Sequence, residues 1–157
     1  MYRILISFLA ILTIGCSDPD SRGLNLNPGE AVLTIENIQH GAQAYLGTRM
    51  LGDTEYEQIT LEVSDTIHVD ILNENFQEGM VSWAGDSFDT KGTIIFMTHY
   101  GYRGGYGPRS GFLIISEQTE LSISGIFQLE LQNFASSCYN CPEDRLNVEG
   151  KFIAQWE

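Results

Sequence analysis

From residue 30 to the C-terminus, apolar side chains recur at every second position in short runs, and no run of useful length shows a 3.6-residue period. Residues 59–71 show the pattern best. Ile59, Leu61, Val63, Ile67, Val69 and Ile71 share one face, while Thr60, Glu62, Ser64, Thr66, His68 and Asp70 share the other. A period of two, rich in β-branched residues, predicts strand with one buried face. Asp65-Thr66 either splits this run or bends it. Further strands are predicted over 31–38, 42–50, 93–99 and 112–116, with a short one over 80–83 in a segment otherwise scattered with Gly, Asp and Asn. Glu117–Glu120 has the length and polarity of a turn.

The last third carries an internal echo. LSISGIFQLEL from Leu121 and LNVEGKFIAQW from Leu146 both follow apolar-x-apolar-x-Gly-x-Phe-x-apolar-x-apolar. Each predicts a one-sided strand, and the inward glycine marks a bulge, or a bend where another side chain crosses. With no helical segment, the pattern predicts an all-β domain, an antiparallel β-sandwich or a partly closed barrel.

The first sixteen residues differ. Arg3 precedes an apolar run from Ile4 to Ile14, and Gly15 stands before Cys16. This reads as a lipoprotein signal peptide over 1–15, with Cys16 as the lipidated N-terminus. The apolar run is too short to cross a hydrocarbon core of roughly 30 Å as a helix. A plain cleaved signal is the alternative, because Thr13 stands where a lipobox usually has leucine. Residues 16–29, polar and rich in Asp, Asn, Gly and Pro, read as the lipidated cysteine and a flexible tether. Residues 30–157 then form a single domain.

The chain has 21 acidic residues against 8 Lys and Arg, a formal charge of −13, and loss of the leader with Arg3 makes it −14. That balance excludes nucleic acid as a partner, since phosphate binding needs clustered cations. With Cys16 carrying lipid, Cys138 and Cys141 remain as a pair in Cys-Tyr-Asn-Cys. Outside the cytoplasm such a pair predicts a disulfide. A redox motif would sit at a helix N-terminus, and a zinc site would need two more Cys or His ligands. No metal and no cofactor is predicted.

The best interaction candidate is residues 100–111, YGYRGGYGPRSG, read as a loop. Tyr100, Tyr102 and Tyr106 offer stacking surfaces, and Arg103 and Arg109 place positive charge in an acidic chain. His68 and Asp70, two apart on one strand, share a polar face and supply the acid-base or metal half-site of an alternative, enzymatic reading. Gly85-Asp86-Ser87 invites comparison with serine hydrolases, but no histidine follows His99 to complete a triad.

The order GTIIF, GFLIIS, LSISGIFQLELQN and LNVEGKFIAQW resembles small uncharacterised lipoproteins of Bacteroidetes-type bacteria, with a Ser-Gly-x-Phe strand and a closing Gly-x-Phe strand. The acidic residues after Cys16 resemble those of exported lipoproteins of the same group. Where that family commonly reads Thr-x-Gly-x-Phe, this chain has Val148-Glu149-Gly150-Lys151-Phe152. The resemblance implies an all-β lipoprotein of the bacterial cell envelope, held to the outer membrane by lipid, and it supplies no catalytic residues. The expectation is a non-enzymatic binding module for a glycan or an envelope protein. A hydrolase using carboxylates or His68 and an immunity or inhibitor-type lipoprotein are the alternatives.

Overall fold

The computed structural model describes residues 25–84, 89–90, 92–99, 105–133 and 145–156, with the side chains of all of these except 83, 84, 89, 90 and 99. The fold is all-β. Ten strands run in the order β1 (Glu30–Ile35), β2 (Ile38–Leu51), β3 (Thr54–Ser64), β4 (Ile67–Asn73), β5 (Gly79–Ala84), β6 (Asp89–Thr90), β7 (Thr93–His99), β8 (Gly105–Gln118), β9 (Ser122–Asn133) and β10 (Arg145–Trp156). Of the two predicted architectures, the chain adopts the barrel. β1–β4 and β7–β10 form a closed antiparallel meander, each strand pairing with the next and β10 returning to β1.

The alternating pattern explains the pairing. The run 59–71 is split by Asp65-Thr66 into a hairpin that sets Ile59 opposite Ile71 and Leu61 opposite Val69, keeping the apolar face inward on both strands. The β1–β2 turn is a two-residue reversal in which Glu36 and Asn37 both take positive φ, 48° and 68°. Such turns match the right-handed twist of the strands they join. Glutamate is an unusual choice there, and its side chain explains it. The Glu36 carboxylate accepts the Asn147 backbone N–H at 2.6 Å while the Glu36 N–H donates to the Asn147 carbonyl at 3.0 Å. The turn is thereby clasped to β10.

The interior is packed. Leu33, Ile59, Leu61, Val69, Ile71, Met97, Leu131, Phe152 and Ala154 are wholly buried, and Phe76, on the segment after β4, joins the same core. An eight-stranded barrel is just wide enough for side chains to fill or for one small ligand to occupy, and here side chains fill it. At about 1.5–3 kcal/mol for each fully buried large apolar side chain, this core dominates stability. Charged residues such as Glu62, Glu130, Glu149 and Lys151 belong to the outer positions. That is the reverse of a bilayer-spanning barrel, which is apolar outside.

β5 pairs along β8 from Gly79–Ile115 to Ala84–Ser110, whereas β7 meets β8 only at Met97–Tyr106 and Thr98–Gly105. β5 therefore lies along the seam that β7 leaves open. Beside β1 the wall changes too. β1 has six residues, and beyond its start β10 and β2 pair directly and in parallel, Gln155 with Tyr45 and Trp156 with Leu46.

The prediction of a loop over 100–111 needs correction. Strand β8 begins at Gly105, so residues 105–111 belong to the barrel wall. Pro108 and Gly111 misled because one flanks a bulge and the other lets the β9 backbone pass close by. The register shifts between Pro108 and Ser110, where a residue lacking an N–H is tolerated. Gly111 has φ 124°, and a side chain there would collide with the backbone of Gln128 and Leu129. Pairing with β9 thus overrides a turn-like composition.

Candidate functional site

The strand ends that flank residues 100–104 and 134–144 lie at the same rim of the barrel, as the registers Thr98–Gly105, Tyr106–Asn133 and Gln132–Arg145 require. Tyr100, Tyr102 and Arg103 fall in the first and Cys138 and Cys141 in the second. These residues, Cys16 and Gly85-Asp86-Ser87 all lie outside the described residues.

Tyr106 does not project from a loop. It is 1% exposed and packs in the core against β7 and β9. Arg109 is half-buried on β8, where its Nη1 donates to Gln132 Oε1 at 3.4 Å. Beside it, Ser110 donates to Glu130 Oε2 at 3.3 Å, and Arg145 Nη1 lies 3.0 Å from Glu130 Oε1. That last contact is ionic without hydrogen-bond alignment, and Glu130 Oε1, Gln132 Nε2 and Arg145 Nε are buried without hydrogen-bond partners. Arg109 therefore joins a charged lattice that ties β8, β9 and β10 together under the rim. It is not a solvent-facing anion clamp.

The outer wall of β2, β3 and β4 carries a second polar cluster. Asp70 is 7% exposed although it faces outward. Its Oδ1 accepts from Gln58 Nε2 and from the Thr60 hydroxyl, both at 2.8 Å, and Gln58 also donates to Thr60 at 2.9 Å. Its Oδ2 lies 3.7 Å from Arg49 Nη1 and 3.7 Å from His68 Nε2. The expected proximity of His68 and Asp70 is present. The arrangement, however, is that of a structural carboxylate, because Thr60 is turned to Asp70 and both carboxylate oxygens face donors or cations. Among the described residues no group of three His, Cys, Asp or Glu is placed to hold a metal ion.

Adjacent to this cluster, a groove of about 950 Å³ runs along the outer wall. One lip is the segment Asn25–Glu30, and the floor and far side are Gly41–Tyr45, Glu62–Ser64 and the end of β10 at Gln155 and Trp156. The segment is held by Gly29, which donates to the Ile153 carbonyl at 2.7 Å and accepts from the Ala44 N–H at 2.9 Å. It is braced further by Asn27, whose N–H and side-chain amide donate to the Glu30 carboxylate at 2.8–3.1 Å. Those bonds hold the exposed Glu30 carboxyl below its usual range, the backbone donor being the larger cause.

Sequence reasoning did not find this groove. Tyr45 and Gln155 are 110 residues apart in the chain and stand side by side only because β2 and β10 pair in parallel beyond the short β1. The one signal within reach was Tyr45 itself, an aromatic on the polar face of a predicted strand. Fold and wall together define a packed, up-and-down eight-stranded barrel with an external groove. Comparison of the chain with family models, with curated proteins and with solved structures finds no match.

Proposed function

We propose that this protein is a lipid-anchored binding module of the bacterial cell envelope, tethered to the outer membrane through Cys16 and acting through its outer surface. The observation that carries the reading is the division of the barrel. Its interior is filled with apolar and aromatic side chains, and polar groups with Tyr45 line an external groove on its wall. An enzyme needs a nucleophile, acid or base aimed at a substrate-sized space. The described polar clusters are instead turned on one another, Asp70 on Gln58 and Thr60, Glu130 on Ser110 and Arg145. An envelope glycan or protein is the partner, and the pair Cys138–Cys141 forms a disulfide in the rim connection.

Two experiments test this. Labelling cells with an alkyne fatty acid should tag the protein and fail to tag a Cys16→Ser variant; an untagged parent chain contradicts the anchor. The immobilised protein should then retain an envelope glycan or one defined envelope protein reproducibly. Turnover of a hydrolase substrate panel, abolished by His68→Ala, would overturn the binding reading in favour of an enzyme.

A further inference from the structure

We propose that the groove along the outer wall of β2 binds a neutral, hydroxyl-rich ligand, a segment of uncharged oligosaccharide, with Tyr45 as its aromatic contact. The inference rests on the binding-module reading and names the ligand class for it.

Four features lead there. The first is size: about 950 Å³ lies at the top of the range of roughly 300–1,000 Å³ for small-molecule sites, more than a single sugar ring needs. The second is an aromatic ring on the wall. In the parallel ladder Tyr45 pairs with Gln155, so the two share the outer face, whereas Trp156 pairs with the buried Leu46 and belongs to the opposite face at the strand's end. The C–H face of a pyranose is apolar and suits a ring such as Tyr45, whose hydroxyl remains free for polar contacts.

The third is the polar lining. Gln43 and Gln155 present amides, and Glu62 and Ser64 present acceptors, matching the alternating donors and acceptors of sugar hydroxyls. Among the described residues no hydrogen bond engages the side chains of Gln43, Tyr45 or Gln155. The fourth is charge. Among the described residues the lining contains Glu30 and Glu62 and neither Lys, Arg nor His. A sulfate, phosphate or uronate would therefore meet two carboxylates with no counter-charge, which selects a neutral ligand. The floor is open at Gly41, where an added Cβ would find no atom within 4 Å. A large side chain there fills the groove without straining the barrel.

The test is calorimetric titration of the purified protein with neutral hexasaccharides (β-1,4-glucan, β-1,4-xylan, β-1,4-mannan, α-1,4-glucan and chitin-type), a sulfated heparin-type hexasaccharide and a neutral extended peptide. The variants are Tyr45→Ala and Gly41→Trp for the groove, and a combined Tyr100→Ala, Tyr102→Ala and Arg103→Ala for the rim. Both groove positions face outward, so thermal midpoints should stay close to the parent's, and either folded groove variant suffices. At least one neutral sugar should bind, tenfold or more weaker in the groove variants and unchanged in the rim variant, with no binding of the sulfated sugar. Binding lost in the rim variant but kept in the groove variants would overturn the inference while leaving the binding-module reading intact. Binding of the peptide alone, of the sulfated sugar alone, or of none of the probes at about 1 mM would also overturn it.

Discussion

In β9 and β10 the glycines of the sequence echo stand opposite its phenylalanines, Gly125 across from Phe152 and Gly150 across from Phe127. The rings lie over bare backbone, their centroids 6.5 Å apart and their planes tilted by 40°. A methyl at Gly150 would lie 2.6 Å from Leu33 Cδ2 and 2.7 Å from Phe127 Cε1 and Cζ, all side-chain atoms. At Gly125 it would lie 2.5 Å from the Ile114 carbonyl oxygen and 2.8 Å from Phe152 Cζ. A side chain can give way by a few tenths of an ångström, whereas a carbonyl within the β8–β9 sheet cannot without disturbing the ladder. Replacing glycine by alanine within a strand gains about 0.5–1 kcal/mol from the unfolded chain, and overpacking costs about 1–3 kcal/mol. Gly150→Ala should therefore destabilise by about 1 kcal/mol and Gly125→Ala by about 2–3 kcal/mol. Urea denaturation followed by circular dichroism measures both. Adding Phe127→Leu to Gly150→Ala should restore part of the loss, with a coupling of about 1 kcal/mol in a double-mutant cycle. Phe152→Leu should rescue Gly125→Ala less, because the carbonyl contact remains. Two alanine variants as stable as the parent, or zero coupling with Phe127, would refute the packing argument.

Three further expectations follow from burial and hydrogen bonding. Tyr106→Ala should lower stability by about 3 kcal/mol or more, as for other large buried aromatics, and a change under about 0.5 kcal/mol would return Tyr106 to an exposed loop. Asp70→Asn should cost about 1–2 kcal/mol because two donors lose a charged acceptor. Arg49→Ala should cost less than about 1 kcal/mol, since that side chain is half-exposed and screened; equal losses would contradict the hydrogen-bond account. Glu30 has a lowered folded pKa, so its clasp on Asn27 is present above the ordinary glutamate range and is lost as pH falls through the lowered value. A carboxyl NMR titration should place its midpoint below that of unfolded glutamate and return it towards normal in Asn27→Ala. A midpoint at or above the unfolded value would contradict the clasp.

Much of the fold was legible because strands with one buried face leave a period of two. Ile59 to Ile71, Thr93 to His99 and the echo from Leu121 and Leu146 announced β3, β4, β7, β9 and β10. The glycines of the echo were legible as crossing points, although the β9–β10 register runs through them without a bulge. The start of β8 was not legible, since Pro108 and Gly111 carry a turn-like composition and only pairing with β9 shows that one flanks a bulge and the other admits the neighbouring backbone. The choice between sandwich and barrel depends on whether β10 returns to β1, which no local pattern encodes. For the same reason the site was half visible. His68 and Asp70 share a strand face and could be paired from spacing, whereas Tyr45 and Gln155 are joined by topology alone.

The most direct test of an account that places function on the outer wall is a two-dimensional amide NMR titration of the protein with the neutral hexasaccharides. Shifts concentrated at 41–45, 62–64 and 155–156, with the core amides of β7 and β9 unmoved, are the predicted result. Shifts centred on the barrel interior, or on the rim near 105–109 and 145 with the groove silent, would contradict it.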